Sequence, residues 1–513
     1  HAADPALLAG MCRALEGMPL AIELVAARAR AFPLTEIAAS LGDLFSAASD
    51  GPRGFVPRHR SLENLLAWSW ELLDPEEADN LAALSVFRGG FDAAAAADIL
   101  GRPSIGPISR LVDKSLLTPY GWAGAPERWR LLEPVRLFAS ARLTASDREA
   151  PRRAAHAAHF VARAGRIGRD LAVIRDAAAL DEADREWSNM AAAFDWLTAS
   201  GRPGQALEAM LALRRFFRIR DRVSELMALV GRIDASRLST PEAAARHELS
   251  AIGAWFSLDM PKLEEHSLAA SDAWKETGDD RAARRSELIW LGFHTDPSCG
   301  LDGLRTRLAE SAPRFRKLGE RWLECEALIS LAHQELALPD GRWPLFREAL
   351  ARVSALAEAS GDLEALSSRA WLGANAARYD KDAAAVEQAL QEVRRCDEAI
   401  GSPLFLSDML DVAAEWALQN GDFGKAADAA AEGASIRERL GHPDLALELR
   451  IIEGEALNSA GRVDEAKEAM ARARALAGDD EETVAMVDYR AALQLASRGE
   501  TASAMRAMEL AAA

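Results

Sequence analysis

Tyrosine occurs only three times in 513 residues, and aromatic side chains make up 6% of the chain. With alanine abundant and aromatic and β-branched residues sparse, the composition turns away from strands and toward helix. Cysteine is almost as rare. Cys12, Cys299, Cys325 and Cys396 are too scattered for a metal or disulfide framework and read as reduced residues of a cytoplasmic protein. No apolar run approaches the roughly 20 residues of a membrane helix, and no signal peptide opens the chain, so no membrane partner is expected. Positive charge is short as well. The 61 Lys and Arg face 79 Asp and Glu, and the net charge of −18 removes nonspecific attraction to nucleic acid.

Signatures of chemistry are missing too. There is no GxxxxGK[ST], no glycine-rich cofactor loop after a strand, no HExxH and no CxxC. No catalytic residue, metal or cofactor is therefore expected in this chain, which does not read as an enzyme. His156 and His159 stand three apart on a helix, a spacing that could hold metal. With no Asp, Glu or Cys nearby to complete a site, they read as surface or groove histidines. Glu264-Glu265-His266 reads as a solvated helix face.

What is present is helix after helix, an all-α fold apart from one short hairpin. At this length the chain should form several domains or an array. The opening helix, Pro5 to Glu16, stops at Gly17, and Pro19 suits the first position of the next. A short helix from Leu34 to Phe45 precedes a Gly/Pro/Arg loop at residues 51–60, and Ser61 is placed to cap the helix after it. Asp74-Pro75-Glu76-Glu77 is a strong helix start, with a cap, a first-position proline and acids at the positive end of the dipole. That helix is expected to end by Phe87, with further helices from Asp92 to Leu100 and from Ile108 to Ser115. Strand candidates at Leu116 to Tyr120 and Arg128 to Leu132 flank a Gly/Pro loop at residues 121–126, and a helix follows from Pro134 to about Thr144. Three helices and a hairpin is the layout of a winged helix.

Gly17-Met18-Pro19-Leu20-Ala21 resembles the GLPLA motif of the STAND signalling NTPases, the class that includes NB-ARC proteins. Ser85-Val86-Phe87-Arg88-Gly89-Gly90-Phe91 and Leu111-Val112-Asp113-Lys114-Ser115-Leu116 look like the winged-helix signatures of its bacterial members. Residues 130–136 align with the family's MHD motif, with Leu132 standing for its His and Glu133 for its Asp. The resemblance implies that Gly17, Pro19 and Glu133 lie near a nucleotide. It also implies an ATP- or ADP-binding P-loop domain ahead of His1, and a nucleotide-dependent oligomer in the full-length protein. The chain starts with His rather than Met and is expected to be a fragment. Over residues 1–150, 15 Lys and Arg face 19 Asp and Glu, and the third helix of the winged helix offers only Arg110 and Lys114. That balance argues against DNA as a partner.

A ladder of glycines owes nothing to resemblance. Gly278, Gly319, Gly361, Gly401 and Gly441 follow one another at 41, 42, 40 and 40 residues, and Gly478 comes 37 later. Each ends one apolar helix and precedes another. A second set of breakers falls midway: Asp259, Pro297, Asp340-Gly341, Tyr379-Asp380, Gly421-Asp422, Gly461-Arg462 and Gly499-Glu500. The unit is thus a helical hairpin of about 40 residues, the period of a solenoid. Gly421-Asp422-Phe423-Gly424-Lys425-Ala426 resembles the tetratricopeptide turn. Trp255, Trp290, Trp322, Trp371 and Trp416 fall on first helices of the units, where they serve either the core or a binding face. Fourteen residues past four of the glycines stand His333, Asn375, Glu415 and Glu455, polar at a repeated position. With Trp290 and Trp371 they are the candidate groove for a protein or peptide, or for a small-molecule inducer.

The expected plan is a remnant of the helical domain at residues 1–60 and a winged helix at 61–148. A helical linker with irregular repeats at 149–240 and a tetratricopeptide-like superhelix at 241–513 complete it. The implied role is the sensor region of a signal-transduction NTPase, transcriptional or kinase-associated. The alternative is a standalone tetratricopeptide scaffold that binds a peptide with no nucleotide dependence.

Overall fold

The computed structural model describes residues 5–14, 19–29, 33–38, 57–121, 128–173, 177–257, 259–291, 301–336, 343–478, 480–497 and 505. Gly17, Cys299 and the breakers Pro297, Asp340-Gly341 and Gly499-Glu500 lie outside them, as do most of the Gly/Pro loops at 51–60 and 121–126. The helix expected over 34–45 is described only to residue 38. The described residues are almost wholly helical and divide into two compact units. One takes in residues 1–164 and 182–209, the other residues 165–181 and 210–513.

In the first unit, helices Pro5–Ala14, Pro19–Arg28 and Pro57–Glu71 precede a block of three helices and a ribbon. The helix Pro75–Leu84 begins as its sequence dictates. Asp74 accepts from the Glu77 amide at 2.8 Å while the Glu77 carboxylate takes the Asp74 amide at 3.0 Å, a reciprocal box that satisfies two otherwise unpaired donors. Ala93–Leu100 is capped by Asp92, which accepts from the Ala95 amide. After Ile105–Asp113 the strands Thr118–Tyr120 and Arg128–Arg130 pair antiparallel, with Tyr120 opposite Arg128. Phe91 joins the ribbon through two backbone bonds to Trp129, at 2.8 and 2.9 Å. Glu133–Thr144 closes the block, and Phe87, Phe91, Phe160 and Phe194 are fully buried.

Several boundaries are set differently from, or more sharply than, the sequence reading, among them the second strand, which ends at Arg130 rather than Leu132. Ser61 is not a cap, because Pro57 already supplies the first helical position and Arg58 to Arg60 are helical. The Pro75 helix stops at Leu84, and Val86 and Phe87 follow in tight i to i−3 turns that swing Phe87 into the core. The third helix runs Ile105–Asp113 rather than from Ile108 to Ser115, and Ser115, at φ 56°, turns left-handed and ends it. Leu116 and Leu117 are not in the ribbon because their amides bond back to the Leu111 carbonyl, and both side chains are buried.

In the second unit the ladder glycines do what their spacing requires. Gly361, Gly401 and Gly441 sit at φ 68°, 70° and 81°, a region closed to most side chains, and each terminates a helix. Six hairpins follow among the described residues. Their first helices are Thr240–Phe256, Asp280–Leu291, Arg321–Leu336, Leu363–Asp380, Pro403–Gln419 and Pro443–Ser459, and Glu481–Ser497 continues the row. Each first helix adjoins the next first helix as well as its own second helix, so the first helices line the inner side of an α-solenoid. The core between them is built of small and branched residues such as Ala370, Leu372, Ala414, Ala430 and Leu449, all nearly inaccessible. No helix among the described residues is long and apolar enough to cross a membrane.

Candidate functional site

The inner side of the solenoid is already in use. Five arginines stand within nine residues at Arg214-Arg215-Phe216-Phe217-Arg218-Ile219-Arg220-Asp221-Arg222. The segment consists of the short helix Arg214–Ile219 and the turn after it. Phe216 and Phe217 are fully buried and anchor it, and the arginines reach out along successive first helices. Arg218 stands over the Trp255 ring at 5.8 Å and pairs with Glu326 at 3.3 Å and with Glu364. Arg215 stands over the Trp322 ring at 5.1 Å and donates to Glu364 at 3.0 Å and to Asp362 at 3.3 Å. Arg220 pairs with Asp181 at 2.6 Å and donates to the carbonyl of Ile400. Asp221, left-handed at φ 50°, comes within 4.0 Å of His442 at the start of the sixth first helix. The segment is a strap across the hairpins.

Burial shapes its electrostatics. Burial works against ionised Glu364, but Arg218 and Arg215 more than offset it and hold that carboxyl below the ordinary range. Glu326 goes the other way: burial and the nearby Glu364 raise it despite Arg218. Two carboxylates thus share Arg218, and the more deeply paired one is the stronger acid. Arg285 has its own partner in Glu248, at 2.5 and 2.8 Å. Arg214 differs from all of these. It donates to the Leu211 carbonyl at 3.1 Å, stands 5.4 Å from the Trp322 ring, and has no carboxylate partner among the described residues. Burial first, and then the charge of Arg285, lower its pKa to about 9. Beside it lies a cavity of ≈ 60 Å³, walled by Trp255, Trp322, Ile252 and Leu288.

The groove residues expected from sequence fall in two places. His333 meets Trp371 edge to face at 4.7 Å, and Trp371 donates to the Asp408 carbonyl at 3.3 Å. Asn375 is buried and spends its amide on the Trp371 carbonyl at 3.0 Å. Glu415 accepts from Arg378, and Glu455 from Arg490 at 2.9 Å. Those two glutamates line a separate open groove of ≈ 570 Å³ near the end of the solenoid, with Asp444, Glu448 and Met486. Trp290 lies on the earlier helix Asp280–Leu291. The strap was missed. Its signal, a dense basic run in a strongly acidic chain, was there to be read, but its carboxylate partners Glu326 and Glu364 lie on distant helices.

In the first unit, Pro19 opens the helix Pro19–Arg28. Glu133 opens Glu133–Thr144 with its carboxylate exposed and clasped by Arg136 at 2.6 and 2.8 Å, a hydrogen bond that lowers its pKa. Arg110 reaches Glu76 at 3.3 Å and Lys114 pairs with Glu77, so both cations of the third helix are spoken for. His156 is not a surface histidine as read from sequence. It is buried between Phe87 and Phe160, at 5.5 and 4.7 Å, while His159 meets Asp98 at 2.7 Å. The glycine-rich signature has a packing reason. Arg128 is buried against Glu186, at 2.5 and 3.1 Å, and donates to the Gly90 carbonyl at 2.7 Å, a carbonyl Asn189 also holds at 3.1 Å. A Cβ on Gly90 would come within 2.9 Å of the Tyr120 ring.

Compared with solved structures, the chain aligns over 96% of its length with 72% of a crystal structure from Pyrococcus horikoshii, at a TM-score of 0.51 and 14% identity. That structure is of a Signal Transduction ATPase with Numerous Domains (STAND) protein with a tetratricopeptide repeat sensor. The fold is shared with that STAND protein. Among curated sequences the chain is 29% identical over 345 residues to a "Putative HTH-type transcriptional regulator" of Mycobacterium tuberculosis and to its counterpart in Mycobacterium bovis. It is 36% identical over 152 residues to an "Uncharacterized protein" of Mycobacterium tuberculosis. The regulator match takes in 63% of this chain and 38% of the regulator, so the chain spans well under half the length of these relatives. No protein-family model matches.

Proposed function

We propose that this chain is the regulatory and sensor region of a STAND-type signal-transduction NTPase that controls transcription. The observation that carries the reading is the alignment of nearly the whole chain with a tetratricopeptide-sensor STAND fold, at a TM-score of 0.51. The order of elements supports it: short helices, a block of three helices and a ribbon, then a solenoid. On this reading residues 61–148 are a winged helix acting as an internal relay. Arg110 and Lys114 face Glu76 and Glu77 and are not left free for phosphates. ATP and ADP bind a P-loop domain outside this chain, with Gly17, Pro19 and Glu133 near the nucleotide. The solenoid takes the signal, a protein, peptide or small molecule, on its inner side. The chain itself performs no catalysis, and nucleotide-dependent oligomerisation belongs to the full-length protein.

The test is the reading frame upstream of His1. A P-loop domain in that frame, in a protein whose nucleotide exchange responds to deletion of the solenoid, is the expected result. A start codon at or near His1 would overturn the reading and leave a repeat scaffold.

A further inference from the structure

Three observations meet at the cavity beside the strap. The first is charge. Arg215, Arg218 and Arg285 each have carboxylate partners, at distances from 2.5 to 3.3 Å, whereas Arg214 has none among the described residues. The second is unspent donors. The Nε of Arg214, the Nε of Arg218 and the indole Nε1 of Trp322 are all enclosed, and none finds a hydrogen-bond acceptor among the described residues. A buried donor without a partner costs stability, and three such donors line this one site, the Trp322 indole N–H among them. The third is shape. The remaining walls are Trp255, Ile252, Leu288, Ile289 and Leu323, flat and apolar, around ≈ 60 Å³ of enclosed space within a half-open cleft of ≈ 570 Å³ counted out to its solvent mouth.

We infer that this cavity binds a small organic anion, a monocarboxylate carried on a flat apolar body, with the carboxylate on Arg214 and the Trp322 N–H and the body against Trp255 and the aliphatic wall. A guanidinium presents parallel N–H groups that match a carboxylate, and enclosure strengthens the pairing. The depressed pKa of Arg214 fits the same picture, since burial and the charge of Arg285 outweigh the attraction of Glu248, which lies beyond ion-pair reach. The apolar wall favours a carboxylate with a hydrocarbon body over free inorganic phosphate. A lipid acid would need a longer apolar channel than this short wall provides. The inference deepens the sensor reading and rests on it for biological role, though not for chemistry. The cavity lies where the strap crosses the first three first helices, so an occupant would touch strap and solenoid together.

The experiment is isothermal titration calorimetry of the whole chain with benzoate, its neutral isostere benzamide, and inorganic phosphate. Benzoate should bind at one site per chain, with benzamide and phosphate at least tenfold weaker. Arg214→Gln should weaken benzoate at least tenfold while the melting temperature holds or rises, because no ion pair is lost. Trp322→Phe, which removes only the indole donor and part of the wall, should weaken it severalfold with the fold intact. Equal binding of benzamide, unchanged binding to both variants, or no benzoate binding would overturn the inference. Phosphate binding as tightly as benzoate would also overturn it, by removing the need for an apolar body. None of these results depends on a nucleotide domain, so a start codon at His1 would sink the signalling role and leave the binding site standing.

Discussion

A single histidine gives the first unit a built-in acid limit. His156 is buried between aromatic rings, and burial lowers its pKa to about 3 from the ordinary 6.5, with His159 adding to the effect and an Asn189 hydrogen bond opposing it. Between those two values the unfolded chain binds a proton that the folded chain refuses. Its contribution is therefore intact above pH 6.5 and is lost as the pH falls below it, at about 1.4 kcal/mol per pH unit. Replacing His156 by Met, which keeps much of the packing volume, should flatten the acid limb. Urea titrations at pH 7, 6 and 5 should show the gap between wild type and His156→Met closing or reversing toward pH 5. Parallel curves would mean the ring takes up its proton in place. A second prediction at this scale concerns Gly90. Gly90→Ala drives a methyl group into the Tyr120 ring beside the Arg128 and Glu186 pair, and should destabilise by about 1–3 kcal/mol, typical of overpacking. A melting temperature equal to wild type would mean that Tyr120 simply turns aside.

At the scale of elements, the parts visible in the sequence are those whose cause is local. Asp74 and Glu77 announce a helix start because capping is settled within four residues, and the structure forms both halves of the box. Asp74→Ala should lower stability by about 1 kcal/mol, read as a shifted urea midpoint with an unchanged slope, and Asp74→Ser should restore most of it. The ladder glycines were equally legible, since a left-handed helix end admits glycine almost alone and the same need recurs every 40 residues or so. Ends governed by distant packing were not. Phe87 bounds the expected helix, yet the chain leaves the helix at Leu84 and Phe87 stacks on Phe91 at 4.3 Å. Ser61 looks like a cap, yet Pro57 starts the helix earlier. The strap was least legible of all. Its run of arginines carries no cap, turn or repeat signal that names a partner, and its partners stand 108 and 149 residues away at Glu326 and Glu364. Of the groove residues, His333 and Trp371 do lie together, but their pairing crosses two hairpins and no spacing rule announces it.

At the scale of the whole solenoid, the strap changes what kind of object the repeats are. An ordinary repeat array behaves as a row of neighbours, each stabilised only by the next, so it can melt from either end one unit at a time. Here Arg215, Arg218, Arg220 and Asp221 connect one short segment to Trp255, Glu326, Glu364, Ile400 and His442, so the first, third, fourth and sixth hairpins share one tie and the second and fifth are held between them. Hydrogen exchange should therefore find residues 240–442 opening as one cooperative block, with Val463–Ala477 and Glu481–Ser497 fraying ahead of them. Arg218→Ala removes one partner of a buried pair and should cost about 3–5 kcal/mol. It should also split that block, so that exchange becomes graded along the hairpins. Graded exchange already in the wild type would show that the strap merely rests on the surface. Such a closure also means that a disturbance at the third hairpin, where the strap meets Trp322, need not travel repeat by repeat to reach the sixth. The array would then transmit force less like a zipper and more like a drawstring: one pull, felt along its whole strapped length at once.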